Sequence, residues 1–218
     1  VIIARNSFTN RDDLAQALAS AVAASLSRIV SEKGQACLAV SGGNTPGLFF
    51  DYLSRKAIAW EKVVVTLVDE RQVDEENPRS NARLVRNMLL RNKAASGRFV
   101  ALYRNTAAAA KLNPDVVVLG MGEDGHTASF FPGGDNLSRA IDPAYNCVLI
   151  SMQAAGAGET RLTFTLPRLL KASRLFLHIE GQKKLDVLSQ ALAGQDALAM
   201  PIRAVLYAAT PLRLYWCP

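Results

Sequence analysis

The sequence predicts an α/β fold: a mostly parallel sheet with helices on both faces, plus a small additional β-containing segment. Three observations lead there. Short apolar runs alternate with amphipathic helical segments along most of the chain, the pattern of parallel strands joined by right-handed crossovers. Those runs are apolar throughout, as strands buried on both faces are. Between residues 147 and 166 two such runs follow one another with no helix between them, which breaks the parallel pattern locally. Half of the 218 residues are hydrophobic, enough for a substantial core. No internal repeat or low-complexity linker divides the chain, so residues 1–218 read as a single domain.

Asp12–Lys33 reads as a long amphipathic helix stopped by Gly34. Ala36–Val40 is the first buried strand, and Pro46–Lys56 a helix with proline in its first turn. Val63–Val68 is a second strand, Ser80–Asn92 a helix, and Ala107–Ala110 part of a brief helix. Val116–Gly120 and Leu175–Ile179 are further strands, and Gly181–Ala193 a further helix. Cys147–Met152 and Arg161–Leu166 read as strands joined by the Gly/Ala-rich loop Gln153–Glu159. They form either an antiparallel edge or a small subdomain.

The net charge of +6 favours anionic ligands. The basic residues are scattered, with no dense Lys/Arg block and few aromatics among them, so no nucleic-acid partner is expected. A small anion needs only two or three of these charges. Cys37, Cys147 and Cys217 are odd in number and widely spaced, which argues against a disulfide framework and a zinc site and suits the cytoplasm. No apolar run reaches 18 residues, and no charged-then-apolar leader pattern opens the chain, so no membrane association is expected.

Ligands of open α/β sheets bind where strands end and helices begin, and three strands here end in unusual loops. Ser41-Gly42-Gly43-Asn44-Thr45-Pro46 offers glycines, two hydroxyls and the free N–H groups of a first helical turn. A tight turn needs one glycine but not this whole polar set, so the loop reads as a phosphate site, though without P-loop spacing. Asp69-Glu70-Arg71 follows a buried strand, and three charges there cannot all be buried unpaired. It is either a solvated loop start with its own salt bridge or a ligand site, with Arg71 suited to a phosphate oxygen or oxyanion and Asp69 to sugar hydroxyls.

The third loop runs from Gly120 to Ser129 and superficially matches the GxGxxG dinucleotide motif. That reading fails, because Pro132-Gly133-Gly134 interrupts any helix and no strand-end acid follows at the required distance. What remains is a loop presenting His126, with Asp124 close enough to orient an imidazole. Imidazoles can take a proton from water near neutral pH, so His126 is the candidate catalytic base. The other histidine, His178, lies inside an apolar strand and reads as structural. Lys184 sits in the first turn of its helix, mildly unfavourable against the helix dipole unless an anion binds there.

Taken in order, Ser41 to Pro46, Asp69-Glu70-Arg71 with Ser80-Asn81, Gly120 to Gly133, Arg161 to Leu166 and Gly181 to Lys184 resemble the 6-phosphogluconolactonase family. The resemblance runs from about residue 10 to 216, and the stretch Gly122 to Gly133 is its most specific part. It implies a Rossmann-like fold in the glucosamine-6-phosphate isomerase/deaminase-like superfamily. It also implies hydrolysis of 6-phospho-D-glucono-1,5-lactone in the pentose phosphate pathway. His126 would be the general base, and Arg161 and Lys184 would hold the phosphate. The related deaminases typically carry Asp-Glu-Tyr where this chain has Asp69-Glu70-Arg71, and Ile-Ala-Phe-Asn-Glu where it has Thr127 to Phe131. Gly-Ala-Gly-Glu-Thr before Arg161 departs from the family's usual proline-rich sequence, which bears on the shape of that loop.

The expected chemistry is one-step hydrolysis. The phosphate anchors in Ser41–Thr45 with Arg161 and Lys184, and His126 holds the water. Arg71 or loop N–H groups meet the oxyanion. A δ-lactone is an activated ester, so no cofactor, metal or covalent nucleophile is expected, and there is no GxSxG elbow. The expected partner is a small phosphorylated sugar lactone, with the chain a monomer or weak homo-oligomer. The alternatives are a deaminase-like isomerase, which would release ammonia, and a non-catalytic sugar-phosphate sensor. Such sensors usually carry a DNA-binding segment, which this sequence lacks.

Overall fold

The computed structural model describes residues 2–218, the side chain of Ile3 excepted. In chain order the elements are β1 (Ile2–Ser7), α1 (Arg11–Lys33), β2 (Ala36–Val40), α2 (Gly47–Ser54), β3 (Val63–Leu67) and β4 (Asp69–Arg71). There follow α3 (Asn81–Met88), β5 (Arg98–Val100), α4 (Thr106–Ala109), β6 (Val116–Leu119), α5 (Leu137–Ala140), β7 (Leu149–Met152) and β8 (Arg161–Phe164). The chain ends with α6 (Leu166–Leu169), β9 (Arg174–Glu180), α7 (Gln182–Leu192), α8 (Ile202–Leu206) and β10 (Leu212–Cys217).

Seven strands form one sheet in the order β1-β10-β9-β6-β2-β3-β5, with every pairing parallel. Helices cover both faces, which is why β2, β3 and β6 are buried at every residue. From β2 the chain steps outward through β3 to β5, then returns to the other side of β2 to lay down β6, β9 and β10. The strand order therefore reverses between β2 and β6, and their carboxyl ends open a crevice there.

Helix α1 starts where Asn10 accepts the Asp13 N–H at 2.9 Å and stops at Gly34, whose φ of 78° is left-handed. It is long and apolar enough to cross a membrane, but its apolar stripe Leu14, Leu18, Val22, Leu26 and Ile29 is buried in the protein core. Burying each of these side chains contributes about 2 kcal/mol.

The two strands of 147–166 pair antiparallel, but not as an edge of the main sheet. β7 and β8 join β4 in a separate sheet of order β4-β8-β7. Asp69-Glu70-Arg71 is thus a short strand rather than a loop. Helix ends also differ from the sequence reading. Pro46 is the N-cap of α2, and α3 stops at Met88 with Asn92 left-handed at φ 51° beyond it.

Candidate active site

Ser41 follows β2 directly, and two bonds tie it to the end of β6 and the residue after it: its N–H donates to the Val118 carbonyl (3.0 Å), and its Oγ accepts the Gly120 N–H (3.2 Å). The loop from Ser41 to Thr45 then lines a cavity of about 350 Å³. Asp69, Arg71, His126, Arg161 and Lys184 line the same cavity, so two loops, the strands β4 and β8 and the helix α7 converge there from distant parts of the chain. Asp124 stands behind His126 instead of lining the wall.

His126 is held from both sides. Its Nδ1 lies 2.6 Å from Asp124 Oδ1, and the same oxygen accepts its backbone N–H at 3.1 Å. A carboxylate can only accept, so in the neutral ring Nδ1 carries the proton and Nε2 the lone pair. The imidazole beside Asp124 holds that carboxyl below its ordinary value. The loop folds tightly enough that a Cβ on Gly122 would sit 2.2 Å from His126 Nδ1, so only glycine fits. Thr127 Oγ1 staples the loop to the Gly120 carbonyl (2.7 Å), and Phe131 packs against the imidazole at 4.6 Å between centroids.

Arg71 and Arg161 face each other directly across the β4–β8 ladder. Like charges so placed repel, yet each guanidinium is fixed. Arg71 Nη1 donates to the Arg79 carbonyl (2.7 Å) and Asn81 Oδ1 (3.0 Å), and Arg161 Nη2 donates to the Ala157 carbonyl (2.8 Å). Both keep a buried Nε without a hydrogen-bond partner. Burial first, and then the Arg71 charge, push the Arg161 guanidinium below its ordinary value. Two opposed guanidiniums with unspent donors make a strong anion site. Lys184 is half-buried, and that burial lowers its ammonium pKa against the pull of Glu180 and Glu123.

The cavity is also lined by residues that were not read as site residues in the sequence, among them Asn81 and His178. Asn81 bridges the Asp69 carbonyl (Nδ2, 3.0 Å) and Arg71, and Gly42 packs against its amide. Ser129 donates to the buried carboxylate of Asp69. His178 lines the floor, with Nε2 3.0 Å from Glu180 Oε1; the strand reading was right, but the residue also borders the site. Glu70 turns away from the cavity and accepts the N–H groups of Asn81 (2.9 Å) and Ala82 (2.7 Å) at the start of α3. Among the described residues no group of three His, Cys, Asp or Glu side chains forms a metal-ligand cluster.

Residues 9–216 match the family model described as glucosamine-6-phosphate isomerases/6-phosphogluconolactonase. A 6-phosphogluconolactonase of Rhizobium meliloti (strain 1021) is 53% identical, with 97% of each chain covered. One from Mesorhizobium japonicum is 49% identical over 98% of this chain and 94% of its own. The crystal structure of a 6-phosphogluconolactonase from Shewanella baltica OS155 superposes with a TM-score of 0.94 at 38% identity, covering 99% of this chain and 97% of that one.

Proposed function

The chain belongs to the glucosamine-6-phosphate isomerase/6-phosphogluconolactonase family, and we propose that its site opens a lactone ring with water activated by His126. Its reaction is the hydrolysis of 6-phospho-D-glucono-1,5-lactone to 6-phospho-D-gluconate. The observation that carries the mechanism is the Asp124–His126 contact, which leaves Nε2 as the proton acceptor in a cavity that also holds two arginines with unspent donors.

The phosphate anchors on Arg161, Lys184 and the Ser41–Thr45 loop: Ser41, Gly42, Gly43, Asn44 and Thr45. Asp69 accepts from sugar hydroxyls. With the far end of the substrate fixed, water attacks the lactone carbonyl carbon as His126 Nε2 takes its proton. Asp124 steadies the imidazolium that forms, and Arg71 stabilises the tetrahedral oxyanion. Collapse breaks the bond to the ring oxygen, which recovers the proton from Nε2, leaving a hydroxyl and a carboxylic acid that ionises to carboxylate and releases its proton to solvent. The ester is activated by its ring, so no cofactor is required.

The same reading makes the protein a cytoplasmic monomer or weak homo-oligomer with no nucleic-acid or membrane partner. Supporting it are the scattered basic residues and three free cysteines, of which Cys37 is buried and its thiol thereby pushed up to about 12. The test is acid release from freshly generated 6-phosphogluconolactone, with wild type and His126→Ala compared against the spontaneous rate. Fast release abolished by the substitution is expected. Loss of no activity on substitution would refute the base, and ammonia release from an amino-sugar phosphate would redirect the assignment to a deaminase.

A further inference from the structure

Arg79 stands on the rim of the cavity, in the loop that follows β4. Its backbone is fixed at both ends: the N–H donates to Asn77 Oδ1 (2.9 Å), and the carbonyl accepts from Arg71 (2.7 Å). Its side chain crosses to the loop before Arg161, where Nη2 lies 3.0 Å from Glu159 Oε2. Gly158 leaves room for that crossing. A Cβ there would sit 3.2 Å from Nη2, and its φ of 74° suits glycine. The stretch Gly156 to Thr160 thus supplies both the space and the carboxylate.

The ion pair is a weak resting place. Glu159 Oε2 is buried and receives no hydrogen bond, so charge alone holds the contact. The Arg79 side chain is 52% exposed, and pairs with so exposed a partner contribute little. Arg71 and Arg161 already crowd this end of the cavity, and Arg79 adds to the field that lowers the Arg161 pKa. Three guanidiniums therefore meet on one rim, more positive charge than Asp69 and Glu159 balance.

We propose that Arg79 is a specificity residue for the substrate's phosphate, paired with Glu159 until a phosphate arrives and then transferred to its oxygens. The proposal rests on the phosphorylated-lactone reading of the site. A phosphate monoester carries close to two negative charges near neutral pH, so the guanidinium exchanges one carboxylate for a stronger, multiply accepting partner. The fixed backbone requires only the side chain to move. Glu159 is then a competitor of the phosphate, and its removal helps binding.

Calorimetric titration with 6-phosphogluconate tests this, alongside kcat/KM for phosphorylated and unphosphorylated glucono-1,5-lactone. Wild type comes first: no product binding and no lactone hydrolysis would overturn the substrate reading itself. With that established, Arg79→Gln is expected to weaken product binding about tenfold and to cut the preference for the phosphorylated lactone by about the same factor. Arg79→Lys, which keeps the charge, recovers part of the loss. Glu159→Gln is expected to act in the opposite direction, tightening binding severalfold, and its gain disappears in the double variant. If both single variants weaken binding equally, the pair is only a strap between loops and the proposal is wrong. It is equally wrong if neither changes binding.

Discussion

One oxygen of Asp124 holds His126 twice, at the imidazole Nδ1 and at the backbone N–H. The carboxylate therefore fixes the tautomer, the ring orientation and the turn that presents the ring. Asp124→Asn keeps the shape but loses the obligate acceptor, and its amide can satisfy Nδ1 in the wrong tautomer. We expect kcat to fall about 10- to 100-fold with KM nearly unchanged, measured as initial rates of acid release. Unaltered kcat would show that the carboxylate does not orient the base.

Gly42 and Gly43 are adjacent, but substitution should harm them differently. A Cβ on Gly42 would lie 1.9 Å from Asn81 Oδ1, and that amide is held between the Asp69 carbonyl and Arg71. Gly42→Ala should push Arg71 out of place and weaken 6-phosphogluconate binding at least about tenfold, as loss of a charge-assisted contact does. Gly43 has open space around its Cβ position but a φ of 90°. Gly43→Ala should cost about 1–2 kcal/mol of stability from backbone strain, read in a denaturant melt, without the same clash.

Glu70 shares the Asp-Glu-Arg stretch with two cavity residues and does different work. Its carboxylate accepts backbone N–H groups from Arg71, Asn81 and Ala82, anchoring the start of α3 that carries Asn81. Glu70→Ala leaves those donors buried and unpaired, and we expect a loss of about 2–4 kcal/mol in denaturant unfolding. Glu70→Gln should recover part of it. A melt unmoved by Glu70→Ala would contradict the capping role.

Lys184 gives the site a pH dependence. Burial disfavours its ammonium, so the charge is lost at lower pH than for a free lysine, and a bound phosphate dianion favours regaining it. Binding of 6-phosphogluconate should therefore weaken as pH rises towards 10.5, the ordinary lysine value, with proton uptake on binding in that range. Lys184→Arg, which stays charged, should flatten the dependence. A calorimetric pH series that is the same for both proteins would remove Lys184 from the phosphate site.

Much of this site was legible because its chemistry is local in sequence. The Ser41–Thr45 loop, the His126 turn and Lys184 each combine unusual residues within a few positions. The central strands were legible because burial on both faces demands apolar runs. β1 and β5 escaped notice because they are sheet edges: β1 carries Arg5 and Asn6, and β5 is three residues long. β10 carries the half-exposed Arg213 and Trp216, which interrupt its apolar run.

By itself the sequence determined the α/β class, the family, and which loops carry residue types suited to an anion site and a general base. Only the tertiary structure decided which of them meet. The register of β4 against β8 sets Arg71 opposite Arg161, residues ninety positions apart in the chain. The same folding assigns Glu70 to a helix start, Asn81 to Arg71, and Arg79 to Glu159. Local propensity and hydrophobic period act over a few residues, whereas strand register and loop packing are fixed by contacts between segments that no short pattern encodes.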